Sequence, residues 1–149
     1  MKIKTEDVQK LREITGAGVM DCTKALREGG GDFDAAVSLI KESGLTKVEK
    51  RAGRDTGAGL VHSYVHNERI GVLLELRAET DFVVRSEPFG KLVHELTMQI
   101  AASDPKDIEE LLSQPYIKDE TRAVKDVIND VIAKVGENIR VGKFYRIEL

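Results

Sequence analysis

Three histidines, a single cysteine and two glycine-rich turns are the residues of this 149-residue chain that could do chemistry. His62 and His66 fall on one run of period two and His94 in a later helix. No carboxylate or thiolate stands near them at the spacing a zinc or transition-metal site requires, so they read as surface or partly buried histidines. Cys22 sits among apolar helix positions with no histidine near it in sequence, which makes it a small buried hydrophobe rather than a nucleophile. Ser63 and Ser86 lack the strand–turn–helix context of a nucleophile elbow. The "GAG" at Gly16 and the "GGG" at Gly29 have neither the preceding strand nor the following spacing of a phosphate loop, and serve as helix punctuation. No catalytic residue, metal ligand or cofactor is therefore assigned, and nothing in these residues supports an enzyme.

Two features fit a recognition surface better than a reaction centre. Met20 falls on the polar face of its helix, beside Thr23, Lys24 and Arg27, where a flexible apolar side chain suits a partner's groove. Asp81 and Phe82 stand side by side in the gap between an apolar run and a helix start. On the residues alone two readings of that pair stand. Phe82 folds back as a staple while Asp81 satisfies local amides, or the pair projects as a binding wedge.

The elements that must position these residues follow from the periodicity. Charged residues are 33% of the chain and aromatics only 5%, yet the 41% that are apolar fall in periodic blocks, the mark of a folded protein. The formal net charge of -3 gives no general attraction to nucleic acid or anionic membranes. One cysteine suits a reducing compartment. With no signal-peptide pattern and no apolar run of membrane-spanning length, the expected location is cytoplasmic.

A helix capped by Thr5 is expected to bury Val8, Leu11 and Ile14 and to stop at Gly16. A second, from Val19 to Glu28, buries Val19, Cys22, Ala25 and Leu26, and a third, capped by Asp32, buries Phe33, Ala36, Val37 and Ile40 and stops at Gly44. Residues 1–45 then form a three-helix domain and 46–58 a basic linker with Lys47, Lys50, Arg51 and Arg54. Residues 59–149 form a core in which the period changes to two. Two runs flank a hairpin turn at Asn67–Glu68, and the second places Ile70, Val72, Leu74, Leu76 and Ala78 on one face. Ser86 is expected to cap a helix whose buried stripe is Phe89, Leu92, Val93, Leu96 and Ile100. A short helical piece over 108–112, a turn around Pro115, and a helix through Val124, Val127, Ile128 and Val131 to Gly136 come next. A last strand carries Ile139, Val141, Tyr145 and Ile147, with a bulge beside Gly142. The fold class is α+β: about three antiparallel strands with helices laid on one face.

"LREITGAGVMDCTKAL", Leu11 to Leu26, and "ETDFV", Glu79 to Val83, in that order resemble the two signatures of the elongation factor Ts family, and "HNERIGVLLEL", "MQIAASDP" and "IAKVGENIRV" extend the likeness over nearly the whole chain. The resemblance implies a guanine-nucleotide exchange factor that releases GDP from the GTPase elongation factor Tu. It also implies an N-terminal domain similar to ubiquitin-associated bundles. Carried over by position, Thr80, Asp81, Phe82 and Val83 match the wedge that enters the GTPase beside its magnesium site. Arg12, Val19, Met20 and Lys24 match the N-terminal surface that holds a helix of the same GTPase domain, and His66 matches a histidine segment facing it.

The chain departs from the pattern at Val19, where methionine is usual, at Thr23, where lysine is frequent, and at Val84, Arg85 and Ser86, which follow the second signature. It is also short, with one core half where longer members have two. That implies a homodimer joined through the sheet. The competing function is a ubiquitin-associated-like adaptor without exchange activity, which would bind through the isolated first 45 residues.

Overall fold

The computed structural model describes residues 2–149, which form two compact units that divide between Lys50 and Arg51. The first contains α1 (Thr5–Thr15), α2 (Val19–Glu28) and α3, which runs from Phe33 to Arg51. Leu11, Cys22, Ala25, Leu26 and Ala36 make its buried centre, with Val8, Phe33, Val37 and Ile40 packed around them. Gly16 ends α1 in the left-handed region, at φ 69°, with its N–H on the Arg12 carbonyl, a conformation that glycine adopts without Cβ strain. Asp32 accepts a 2.7 Å hydrogen bond from the Ala35 N–H, as a capping residue should.

Four expectations for this unit need correction. Thr5 is inside α1, with Lys4 at the cap position and no side-chain cap. Ile14 and Val19 are exposed rather than buried. They flank the tight Thr15–Gly18 connection, where the helical stripe runs off the end of the unit's small core. Gly44 does not stop α3, which continues through the first part of the segment read as a linker. A lone glycine weakens a helix interior by only about 1 kcal/mol relative to alanine, and none of the residues from Leu45 to Arg51 is a proline or another glycine.

The second unit is built in the order β1 (Ala58–His66), β2 (Ile70–Ala78), α4 (Asp81–Val84), α5 (Glu87–Ser103), α6 (Ile108–Ser113), β3 (Pro115–Tyr116), β4 (Asp119–Ala123), α7 (Val124–Val135) and β5 (Ile139–Glu148). Its main sheet has the strand order β1-β2-β5, antiparallel at both junctions. Asn67 and Glu68, at φ 50° and 57°, close the β1–β2 hairpin with the two positive φ values that match the twist of its strands.

Alternation on β2 buries Val72, Leu74, Leu76 and Ala78 beneath α5, which packs across β1 and β2. Phe89, Leu92, Val93, Leu96 and Ile100 supply the helical side of that interface and are all buried. Each such leucine, valine or phenylalanine contributes about 1.5–3 kcal/mol of burial, so this layer anchors everything attached to it. The bulge is where it was expected: Leu74 pairs with Phe144 and Leu76 with Val141, so Gly142 and Lys143 together oppose Glu75. Positions pointing the other way keep Val61, Val65, Leu73, Tyr145 and Ile147 exposed.

The β3–β4 hairpin was not expected around Pro115. It is too short to carry a period, and a side chain on α5 holds it. Buried Gln99 donates to the Pro115 carbonyl at 3.1 Å and accepts from the Ile117 N–H at 2.9 Å, standing in for a neighbouring strand. Among the described residues no helix is long and apolar enough to cross a membrane.

Candidate partner-binding site

The chain leaves the centre strand of the sheet at Ala78 and turns into α4 within three residues. Thr80, extended at φ -132° and ψ 154°, is the N-cap, and its Oγ1 accepts from the Val83 N–H at 3.4 Å. A single helical turn is too short to be stable alone. Two flanking contacts fix it: Val83 is buried, and Ser86 donates its hydroxyl to the Val83 carbonyl at 2.6 Å. Ser86 therefore does not cap α5 with its side chain as expected, although it occupies the N-cap position. It braces α4 instead.

With Val83 turned inward, Phe82 points out and is 85% exposed, more than any other large hydrophobic residue described. The staple reading of Phe82 fails on this geometry, because Val83 fills that role. Asp81 is exposed beside it, and among the described residues its carboxylate has no hydrogen-bond or ionic partner. Behind the pair, Glu79 is mostly enclosed. Its Oε1 is buried without a hydrogen bond and lies 3.7 Å from Arg54 Nη1, an ion pair at long range.

His66 is at the far end of the same hairpin. It pairs with Ile70, whereas Ala58 pairs with Ala78, so the length of the strand, about 3.4 Å per residue, separates His66 from Thr80. The structure does not bring the two together within one chain. His66 is held locally, with Nδ1 2.9 Å from Tyr64 Oη and Nε2 3.3 Å from Asn67 Nδ2. The ring of His94 stands edge-on to His62 and to Tyr64, each at 5.8 Å between centroids. Among the described residues no group of three or more His, Cys, Asp or Glu side chains could hold a metal ion.

In the helical unit Met20 is 82% exposed at the start of α2. Lys24 is one turn further along the same face, paired at 3.9 Å with Glu28. Arg12, on the last turn of α1, reaches the Ala17 carbonyl at 3.4 Å, and so lies over the connection that leads to Val19 and Met20. The structure thus gathers the N-terminal candidates around one helix–helix corner. It adds Ile14 to them, which the periodicity had placed inside. The chain end of a stripe, next to a glycine turn, was the only signal in the sequence for that.

A helical unit followed by an antiparallel sheet with its helices on one face defines an α+β protein, and each unit carries a projecting apolar side chain, Met20 in the first and Phe82 in the second. Residues 79–149 match the family model described as Elongation factor TS. Elongation factor Ts of Thermotoga petrophila is 41% identical in an alignment covering 100% of this chain and 97% of that protein. The same factor from Moorella thermoacetica is 41% identical over 99% and 95%, and that from Thermodesulfovibrio yellowstonii 36% over 100% and 97%. The chain belongs to the elongation factor Ts family and is a factor of translation elongation. Its alignment with the Thermotoga petrophila protein spans 193 positions against 149 residues in this chain, so this chain lacks segments which that protein has.

Proposed function

We propose that the chain is a guanine-nucleotide exchange factor that binds elongation factor Tu carrying GDP and promotes GDP release, with Asp81 and Phe82 as the wedge that disturbs the magnesium and phosphate site. The observation that carries this reading is the exposure of Phe82 on a corner that Thr80, Val83 and Ser86 anchor. An aromatic side chain left in water has a desolvation incentive to enter a partner. The brace under it lets that gain be spent on displacing the partner's groups rather than on ordering its own loop.

Magnesium bound to a nucleotide demands near-octahedral geometry, so a small displacement of its surroundings weakens both metal and phosphate. Phe82 levers packed side chains apart, and the Asp81 carboxylate, free of internal partners, offers an acceptor to the rearranged network. Arg12, Val19, Met20 and Lys24 supply binding energy that stabilises the distorted state. By linkage the factor and GDP weaken each other's binding by the same free energy, typically about 1–3 kcal/mol in coupled systems. Such a device needs no nucleophile and no cofactor of its own.

The active form in this reading is a homodimer. The outer face of the sheet exposes Val61, Val65, Leu73, Tyr145 and Ile147, and a second copy covering it would bury them in an isologous contact. A dimer also presents two copies of the Phe82 corner and of His66.

The test is to titrate the chain into elongation factor Tu loaded with labelled GDP. Release should accelerate and saturate. A rate that never rises above the intrinsic one would refute the reading.

A further inference from the structure

The direction of Phe82 depends on Thr80, and Thr80 is held by a side chain from elsewhere in the fold. Ala78 pairs with Ile139, so continuing the antiparallel register past this last pair sets Thr80 across from Glu137. The ladder is not continued by backbone there. Instead the Glu137 carboxylate takes both donors of Thr80: Oε1 accepts the backbone N–H at 2.9 Å and Oε2 accepts from Oγ1 at 2.7 Å.

A hydroxyl has one proton and two lone pairs. With its proton committed to Glu137, the Thr80 oxygen is left with lone pairs, and one of them receives the Val83 N–H that caps α4. One carboxylate thereby sets the backbone direction at the corner and the polarity of the cap. Glu137 is itself fixed from both sides. Gly136 reverses the chain after α7 at φ 75°, and buried Asn138 donates to the carbonyls of Ala52 and Arg54 at 3.4 and 3.0 Å.

We propose that Glu137 is the positioning residue of the wedge: it acts through Thr80 to hold Asp81 and Phe82 in the orientation that engages the GTPase, while touching neither nucleotide nor metal. The proposal rests on the exchange reading above. It explains why a carboxylate here binds two donors of a neutral threonine, both by charge-assisted hydrogen bonds.

The test uses the full chain with Glu137→Ala and Glu137→Gln, and two readouts. In the free protein, amide hydrogen exchange at Val83 and Val84 should quicken about tenfold in Glu137→Ala, with the amides of Leu74 and Leu96 unchanged. In stimulated GDP release from elongation factor Tu, Glu137→Ala should lower the saturating rate about fivefold to tenfold and leave the half-saturating concentration within about twofold. Glu137→Gln keeps a carbonyl for the Thr80 N–H and an amide N–H that donates to the Thr80 oxygen, whose remaining lone pair still takes the Val83 N–H, and should restore most of both. If Glu137→Ala folds poorly, Glu137→Asp, one methylene too short to reach both donors, carries the same expectation.

Unchanged protection at Val83 and Val84 in Glu137→Ala would overturn the proposal, as would Glu137→Gln releasing GDP as slowly as Glu137→Ala, which would mean that the charge itself meets the partner. Failure of the exchange reading is recognised separately. The unsubstituted chain would then not stimulate release at all, and the hydrogen-exchange arm would still decide whether Glu137 holds the corner.

Discussion

Leu73 and Tyr145 are direct antiparallel partners across β2 and β5, and both face solvent, at 49% and 65% exposure. Such a cross-strand aromatic–aliphatic pair stabilises the sheet, and here it sits in an apolar field with Val61, Val65 and Ile147. If a second copy covers this face, Leu73→Lys places a charge in the middle of the contact. The variant should sediment as a monomer at concentrations where the parent chain is a dimer, an affinity loss of about a hundredfold or more, with an unchanged far-ultraviolet circular dichroism spectrum. A parent chain that is monomeric at working concentration and fully active in exchange would contradict the dimer.

Glu75 lies across the bulge on β5. A Cβ placed on Gly142 would come 2.7 Å from Glu75 Cδ, far inside van der Waals contact. Glu75 is also tied down by Arg77, whose Nε donates to its Oε1 at 2.9 Å and whose hydrogen bond holds the carboxyl below its ordinary 4.5. Gly142→Ala must push that pair aside or flatten the bulge. It should destabilise the chain by about 1–3 kcal/mol, read as a lower urea midpoint with an unchanged slope.

The alternation in β2 made the sheet and its buried face legible, and the break at Phe144 marked the bulge on β5, beyond which Tyr145 and Ile147 of the same alternating set fall on the exposed face. The glycine turns made the ends of α1, α2 and α7 legible as well. Gly44 misled because a stop needs the following residues to reverse, and Leu45 to Arg51 continue the helix instead. Ile14 and Val19 misled for a different reason: periodicity gives the face of a helix but not whether a neighbour exists beyond its last turn. At the site, Phe82 could be read from composition either way, and its direction is settled by Val83 taking the buried place. Glu137 gave no signal at all, since its partner is 57 residues away in sequence. Only the β2–β5 register brings the two together.

Glu95 anchors the β3–β4 hairpin to α5, accepting from Tyr116 Oη at 2.7 Å and from Lys118 Nζ at 3.1 Å. Burial acts to raise its pKa, but those two hydrogen bonds and the Lys118 charge together outweigh burial, so the carboxyl titrates below its ordinary 4.5. A depressed pKa in the folded state means stability that is present above pH 4.5 and is lost as the pH falls through the folded value. Tyr116→Phe should therefore cost about 1–2 kcal/mol at neutral pH and show a smaller further loss on acidification than the parent chain. Urea unfolding of both proteins at pH 7 and near pH 4 checks the sign.

Met20 and Phe82 are exposed alike but are assigned different work. Met20→Ala removes an apolar contact made on binding, so it should raise the half-saturating concentration for GDP release about tenfold and leave the saturating rate within about twofold. An equal loss in the saturating rate would place Met20 in the distortion step instead.

The wedge itself is tested most directly by Phe82→Ala, read as the rate of labelled GDP release from elongation factor Tu at saturating concentrations of the chain. With the side chain 85% exposed, truncation should change stability by no more than about 0.5 kcal/mol. The saturating rate should nevertheless fall about tenfold or more, because the lost contact is one made in the distorted state. A Phe82→Ala chain that is folded, saturates the GTPase and releases GDP as fast as the parent would contradict the account.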